Sequence, residues 1–408
     1  MAKVLFLTQV LPWPLDAGPK VRAHYVLRWL AQQHALTLVS FVREDTRPED
    51  IATLRECCGA VHTAPMRRSL WRNVRAGVVS LLTRQPVIIL RDDVSEMRAL
   101  IRRLVTTEQY DVIHADQTSM VQYALFAQRC AARRWPGAPP ALVLDAHNAL
   151  FRVPERLAAV ERNPLVRAVL AREACLLSRY ESAAYRRFDQ VVFVTDVDRQ
   201  LFAMDAANVI PICADPADTA PVQRGAPTHM ILHLGTMFWP PNIEGVHWFV
   251  REVLPLVRAR VPDARFAVVG KNPPASVAAL TADPGVQVTG YVPDPEPYLA
   301  ECAAFIVPLN AAGGMRVKIV DAWCWGVPIV STTIGAEGIE VRAGENVLLA
   351  DAPADFADAV VALLLDPARG RQLAENGRRW VLQRYAWTNA YRAWDAVYAA
   401  AQRANARV

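Results

Sequence analysis

The chain has 408 residues, 53% of them apolar and 21% charged. That composition excludes a disordered or fibrous protein, and at about 100–200 residues per domain the length favours two domains over one. The basic excess is small, 45 Lys and Arg over 40 Asp and Glu, and no nucleic-acid partner is expected.

The apolar run Val4 to Leu11 is short and enters Pro-Trp-Pro, so it reads as a buried strand rather than a signal peptide. Val21 to Gln33 has helical spacing and Ala35 to Val42 is a second apolar run, which together make a strand, loop, helix and strand unit. Further strands are expected at Tyr110 to His114, Ala141 to Asn148, Gln190 to Thr195 and Asn208 to Ile212, with a long helical stretch from Arg156 to Phe188. Continuous apolar strands alternating with helices predict a doubly wound parallel sheet. Ala214 to Thr228, rich in Pro, Ala, Asp and Thr, reads as a linker.

A second α/β series follows, with strands expected at Met230 to Gly235, Arg265 to Gly270, Gly285 to Val292, Ala303 to Pro308, Pro328 to Thr332 and Asn346 to Ala350. Gly370 to Arg384 and Trp387 to Arg403 read as terminal helices. No uncharged apolar run reaches the ~18 residues of a membrane span, and a cytoplasmic location is expected. The seven cysteines form no C-x-x-C pair and no cluster with zinc spacing, so a disulfide scaffold or structural metal is not expected.

Strand ends carry the chemistry in such folds, because helix N-termini there offer unpaired N–H groups to anions. Gly235, Gly270-Lys271 and Gly290-Tyr291-Val292 fall at strand ends. The most informative string is Gly313-Gly314-Met315-Arg316-Val317-Lys318, in which two glycines permit close backbone approach and two cations open a helix. Lys3, Lys20, Lys271 and Lys318 are the only lysines, so a lysine here is informative.

With Asp321, then Gly326-Val327-Pro328 and Ile329-Val330-Ser331-Thr332, this string resembles the donor-binding segment of nucleotide-sugar glycosyltransferases of the GT-B fold, in particular retaining family 4. His233-Leu234-Gly235, the string Gly290 to Asp294 and the Pro-x-Asp-x-Gly loop ending at Gly18 follow in the same order. The resemblance implies two Rossmann-like domains facing a cleft, residues 1–214 for the acceptor and 229–385 for the donor, with a C-terminal helix (386–408) crossing back to the first domain. It implies a glycosyltransferase of hexosyltransferase type that uses a nucleotide diphosphate sugar and a carbohydrate or lipid-linked acceptor, with retention, and that needs no cofactor. Metal independence is expected from the lack of an Asp-x-Asp motif in a suitable loop.

His147, in Asp-Ala-His-Asn, occupies the position where the family places a histidine near the sugar; with Arg316 and Lys318 it makes the expected catalytic set. Gly18, Gly235, Lys271, Tyr291, Val292, Gly313, Gly314, Met315 and Asp321 are the expected donor contacts. The family's two glutamates eight positions apart fall here on Gly313 and Asp321. Its basic pair after the first strand of the donor domain is replaced by the uncharged Met237 to Asn242, so diphosphate neutralisation is expected to move to Arg316 and Lys318, both exposed. His114 reads as a core or rim histidine. A dinucleotide oxidoreductase would need G-x-G-x-x-G, which does not occur; a nucleotide-sugar epimerase and a non-catalytic binding protein remain alternatives.

Met66 to Leu104 carries nine arginines against Asp92, Asp93 and Glu96. Leu70, Trp71, Val74, Val78, Leu81 and Leu82 recur there at helical spacing beside Arg67, Arg68, Arg72 and Arg75. Such a helix either docks the protein peripherally on an anionic membrane surface or acceptor, or packs its apolar side on the first domain.

Overall fold

The computed structural model describes every residue except Asp45, Arg68, Ala226, Pro227, Ala312 and 406–408. It divides into two units, the first Met1–Cys213 with Ala390–Val408 and the second Ala214–Asn389. Among the described residues no helix is long and apolar enough to cross a membrane.

The first unit is built on seven parallel strands: β1 (Lys3–Thr8), β2 (Ala35–Val42), β3 (Ala60–Pro65), β4 (Val112–Asp116), β5 (Ala141–Ala146), β6 (Gln190–Phe193) and β7 (Asn208–Val209). Their order is β3-β2-β1-β4-β5-β6-β7. β4 and β5 are buried along their whole length and β1 from Val4 onward, and Val4, Leu5, Phe6 and Leu7 are fully buried, as the position between two helical layers requires. β3 escapes the sequence reading because Ala-Val-His-Thr-Ala-Pro lies at the sheet edge, half-buried, and needs no continuous apolar run.

Two helical stretches are shorter than expected. The stretch Arg156 to Phe188 is two helices, Arg152–Val160 and Pro164–Tyr185. Pro164 at the first turn has no N–H for a helix continuing from before it, and the Asn163 side chain caps the new helix by accepting from Leu165 N (3.0 Å). The terminal stretch likewise breaks into Trp387–Ala390 and Ala393–Asn405. The last helix packs on the first unit: Trp394 and Tyr398 are buried there, and Tyr398 Oη lies 2.9 Å from His114 Nδ1. His114 also stacks on Phe6, with centroids 4.1 Å apart.

The second unit has six parallel strands: β8 (Met230–Leu234), β9 (Arg265–Val269), β10 (Val286–Gly290), β11 (Cys302–Val307), β12 (Ile329–Ser331) and β13 (Leu348–Leu349), ordered β10-β9-β8-β11-β12-β13. Gly326 ends the helix Val317–Trp325 in a left-handed conformation (φ 69°), its N–H turned back to Ala322 and Trp323, which releases the chain into β12.

Candidate functional site

Strand order reverses between β1 and β4 in the first unit and between β8 and β11 in the second. Ligands of open parallel sheets bind beyond the carboxyl ends at such reversals.

In the second unit, β8 runs into Gly235 and the helix Pro240–Trp248, and β11 runs into the glycine loop and the helix Val317–Trp325. Lys318, in the first turn of the latter, donates from Nζ to Asn242 Oδ1 at 3.0 Å. Asn242 is buried and donates in turn from Nδ2 to Thr236 O at 2.9 Å. The ammonium thus arrives, from another element, at the loop that follows β8. A Cβ on Gly235 would lie 2.7 Å from Lys318 Nζ, and one on Gly270 would lie 1.7 Å from Gly235 O. Only glycine lets these strand ends and the lysine converge.

Burial, and secondarily the Arg316 cation, push the Lys318 ammonium down to about 7. Asp321, one turn on, is pushed up to about 7 by burial against the pull of Lys318. His233, inside β8, is held well below its ordinary value by burial and then by Lys318. It stays neutral, so the 3.2 Å contact of Nδ1 with Ile306 O is a donated hydrogen bond.

Neither cation is exposed, contrary to expectation: Lys318 is half-buried and Arg316 is buried. Arg316 retains only 4% of its surface, and its guanidinium donates to Gly313 O, to Ile334 O (3.3 Å) and towards Glu337 (3.5 Å). A five-donor fork at the start of a helix is drawn to nearby backbone carbonyls; here it ties the glycine loop to the turn after β12. Gly313, Gly314, Lys271 and Val292 are half-buried, Met315 is buried and Tyr291 is exposed. Gly314 has φ +72°, which a side chain would strain.

In the first unit, Asp116 and Asp145 are register partners at the ends of β4 and β5. Both are fully buried, so cations must meet them. Arg22, on the helix Gly18–Leu30, forks onto Asp145 (2.8 and 3.0 Å) and also donates to Pro211 O. His147 Nε2 lies 2.9 Å from Asp116 Oδ1 and 3.6 Å from Asp145 Oδ2. Burial alone would lower His147, but the two carboxylates outweigh it and lift the imidazole to about 9, so Nε2–H donates. Asp116 is raised by burial against that pull. Asp145 is driven below the usual carboxylate range, since Arg22 and His147 outweigh burial. Asp116, Asp145 and His147 offer ligand atoms within 4.8 Å of one another, yet Arg22 and their mutual hydrogen bonds already meet this charge.

Thr8 Oγ1, Asp116 Oδ2, Gln117 Nε2, Ser119 Oγ and His147 Nδ1 are buried there without a hydrogen-bond partner. Thr8 pairs in register with Asp116, so these atoms belong to one reversal point, the place where a polyhydroxylated ligand would supply partners. Gly18 opens the helix Gly18–Leu30, the next element after β1, and is half-buried.

The arginine-rich segment contains the helix Leu70–Thr83, capped by Ser69, whose side chain accepts from Arg72 N. Its apolar side is not packed on the domain: Leu70 and Trp71 are each 83% exposed and Leu82 is 81% exposed. Arg67 and Arg75 are exposed, whereas Arg72 is engaged with Arg91 O (2.7 Å) and Asp93 O (2.9 Å) and is half-buried. Arg68 lies outside the described residues.

Sequence reasoning missed Asn242, Asp116 and Asp145. A signal existed for Asn242: asparagine after Pro-Pro in a first helical turn favours the position when its amide has a local partner. Asp116 and Asp145 each close an apolar strand run, an unfavourable place for a carboxylate unless it is paired.

Two Rossmann-like units of this topology define the GT-B fold, and structural comparison agrees. Over 98% of this chain and 100% of the other, it matches the crystal structure of Anabaena HepE in complex with UDP and glucose, with TM-score 0.67 at 14% identity. Residues 228–366 match the family model of glycosyl transferases group 1; the chain carries a domain of that family and is a glycosyltransferase. An uncharacterised 44.6 kDa protein in the cps region of Klebsiella pneumoniae is 20% identical over 94% of this chain and 97% of its own length. A GDP-mannose-dependent alpha-(1-6)-phosphatidylinositol monomannoside mannosyltransferase of Mycolicibacterium smegmatis is 30% identical over 149 residues, 33% of this chain and 39% of the relative.

Proposed function

We propose that the enzyme transfers a hexose from a nucleotide diphosphate sugar to a hydroxyl of a carbohydrate or lipid-linked acceptor, with retention and without a metal ion. The observation that carries this reading is the Lys318 ammonium, delivered by Asn242 to the glycine-lined end of β8. In this reading residues 229–385 hold the donor, and residues 1–214 with 386–408 hold the acceptor.

The bond broken joins the anomeric carbon to the diphosphate oxygen, the new bond runs from that carbon to the acceptor oxygen, and the acceptor hydroxyl's proton passes to the departing diphosphate oxygen. Negative charge grows on the leaving diphosphate. Lys318 and the first N–H groups of the helix Val317–Trp325 meet it, an electrostatic contribution of roughly 2–4 kcal/mol for a preorganised contact. Gly235, Gly313, Gly314 and Gly18 present backbone rather than side chain to the donor, and Asp321 accepts from the ribose hydroxyls. Lys271, Tyr291, Val292 and Met315 line the nucleotide. His147 offers its unpartnered Nδ1–H to the sugar. Arg316 acts by shaping the glycine loop and by its charge on Lys318.

The exposed apolar residues of Leu70–Thr83, flanked by Arg67 and Arg75, favour a peripheral site on the anionic inner face of the cell membrane. The lipid-linked acceptor in the name of the mycobacterial relative fits the same reading.

Screening nucleotide sugars for thermal stabilisation, followed by donor hydrolysis and transfer with wild type and Lys318→Ala, tests it. Stabilisation and turnover by one donor class, lost in the variant, support the assignment. Turnover untouched by the variant rules it out.

A further inference from the structure

We propose that a second anion site, distinct from the one at Lys318, lies on the second unit in a basin formed by Arg224, Arg371, Arg378 and Arg379, and that it takes a soluble phosphate-bearing molecule. The basin has a volume of about 450 Å³, within the ~300–1,000 Å³ range of small-ligand pockets. Its charged lining is these four arginines and one carboxylate, Glu375. A concavity lined by one sign of charge focuses its potential, and guanidinium forks match the oxygens of a phosphate.

The hydrogen bonds divide the arginines into two roles. Arg378 is structural: it donates to Pro216 O, Thr219 O (2.9 Å) and Cys324 O (2.6 Å), strapping residues 216–219 to the helices Val317–Trp325 and Pro367–Arg384. Val222 N donates to Trp325 O at 2.9 Å in the same strap. The wall is therefore preformed. Arg224 extends from this strap and donates from Nη2 to Cys302 O at 2.7 Å, but its Nη1 is buried with no acceptor. Arg371 makes no hydrogen bond or ion pair within the described residues. Arg379 is engaged only by Asn376.

Glu375 stands four residues from both Arg371 and Arg379 on one helix, a spacing that ordinarily forms an ion pair, and it pairs with neither. Burial, and after it the neighbouring Arg371, hold the Arg224 guanidinium below its ordinary value, while the Cys302 side opposes this. Four guanidinium groups have been gathered beside one carboxylate, leaving a net positive charge, with a buried donor unfilled. A phosphate group in the basin would accept from the exposed Arg371 and meet the charge of the Arg224 guanidinium beside it.

The site is separate from the donor site. Gly326, on the rim, caps the helix whose first turn carries Lys318, so the two lie about 12 Å apart along that helix at 1.5 Å per residue.

Calorimetric titration of the full chain with inorganic pyrophosphate at low ionic strength tests the proposal, using Lys318→Ala as the background so that binding near β8 is suppressed. The expected result is saturable binding of one pyrophosphate per chain, weakened about tenfold in Arg371→Gln and further in Arg224→Gln/Arg371→Gln, and unchanged in Arg251→Gln, a change at an exposed arginine on another helix. Arg371 is exposed, so its variant folds even where loss of the Arg224 bond to Cys302 weakens the unit. Absence of binding in the Lys318→Ala background, or equal affinity in Arg371→Gln and Arg251→Gln, overturns the proposal.

Discussion

Lys318 Nζ and Asn242 Oδ1 lie 3.0 Å apart, joining the first turns of two helices that follow neighbouring strands, β8 and β11. The amide holds the ammonium without neutralising it, leaving the charge for a ligand. Asn242→Ala should therefore misplace Lys318 and lower kcat/KM for the donor by about tenfold, the value of one charge-assisted hydrogen bond. Asn242→Asp should instead raise the Lys318 pKa. Steady-state kinetics across pH separate the two; identical profiles for wild type and both variants would remove Asn242 from the site.

With its pKa near 7, Lys318 is only partly protonated at neutral pH. A diphosphate stabilises the charged form, so the bound pKa is higher than the free one, and nucleotide binding should take up protons and weaken as pH rises above about 7. Titration in two buffers of different ionisation enthalpy measures the uptake. Zero uptake at pH 7.5 would mean that Lys318 does not face the phosphates.

Lys318→Arg is not a conservative change here. A Cβ on Gly235 would already lie 2.7 Å from Nζ, so a planar guanidinium has no room. Turnover should fall by about 100-fold with the fold intact, measured alongside the unfolding transition.

His147 carries a pH signature of stability. Its folded value of about 9 exceeds the ordinary 6.5, so its contribution is complete below pH 6.5 and disappears as pH climbs through 9. The shift corresponds to about 3 kcal/mol at 1.36 kcal/mol per pKa unit. Denaturant unfolding of the wild type should show this decline, and His147→Gln should flatten it while destabilising the Asp116 and Asp145 pair.

The helix Leu70–Thr83 should bind anionic but not neutral vesicles, more weakly at high salt. Trp71→Ser with Leu82→Ser should reduce binding, since both side chains are exposed and removing them costs the fold little. Arg67→Gln with Arg75→Gln should reduce it through charge. Sedimentation that is blind to lipid charge and to all four changes would leave the patch without a membrane role.

The sequence by itself determined the two parallel-sheet units and most of their strands, because a strand covered on both faces must be apolar along its length, and that signal is local. It also pointed to the glycine string and Lys318, since glycines beside cations at a strand end are readable in one dimension. Only the tertiary structure decided what those cations do. Arg316 and Lys318 are two residues apart, yet one is absorbed by the carbonyls of Gly313 and Ile334 while the other reaches Asn242, 76 residues earlier in the chain. The pairing of Asp116 with Asp145 across β4 and β5, and their neutralisation by Arg22 and His147, likewise depends on strand register and on the placement of a distant helix. Whether the apolar side of Leu70–Thr83 faced inward or outward was undecidable from its period, because a helical repeat specifies one side without specifying what covers it.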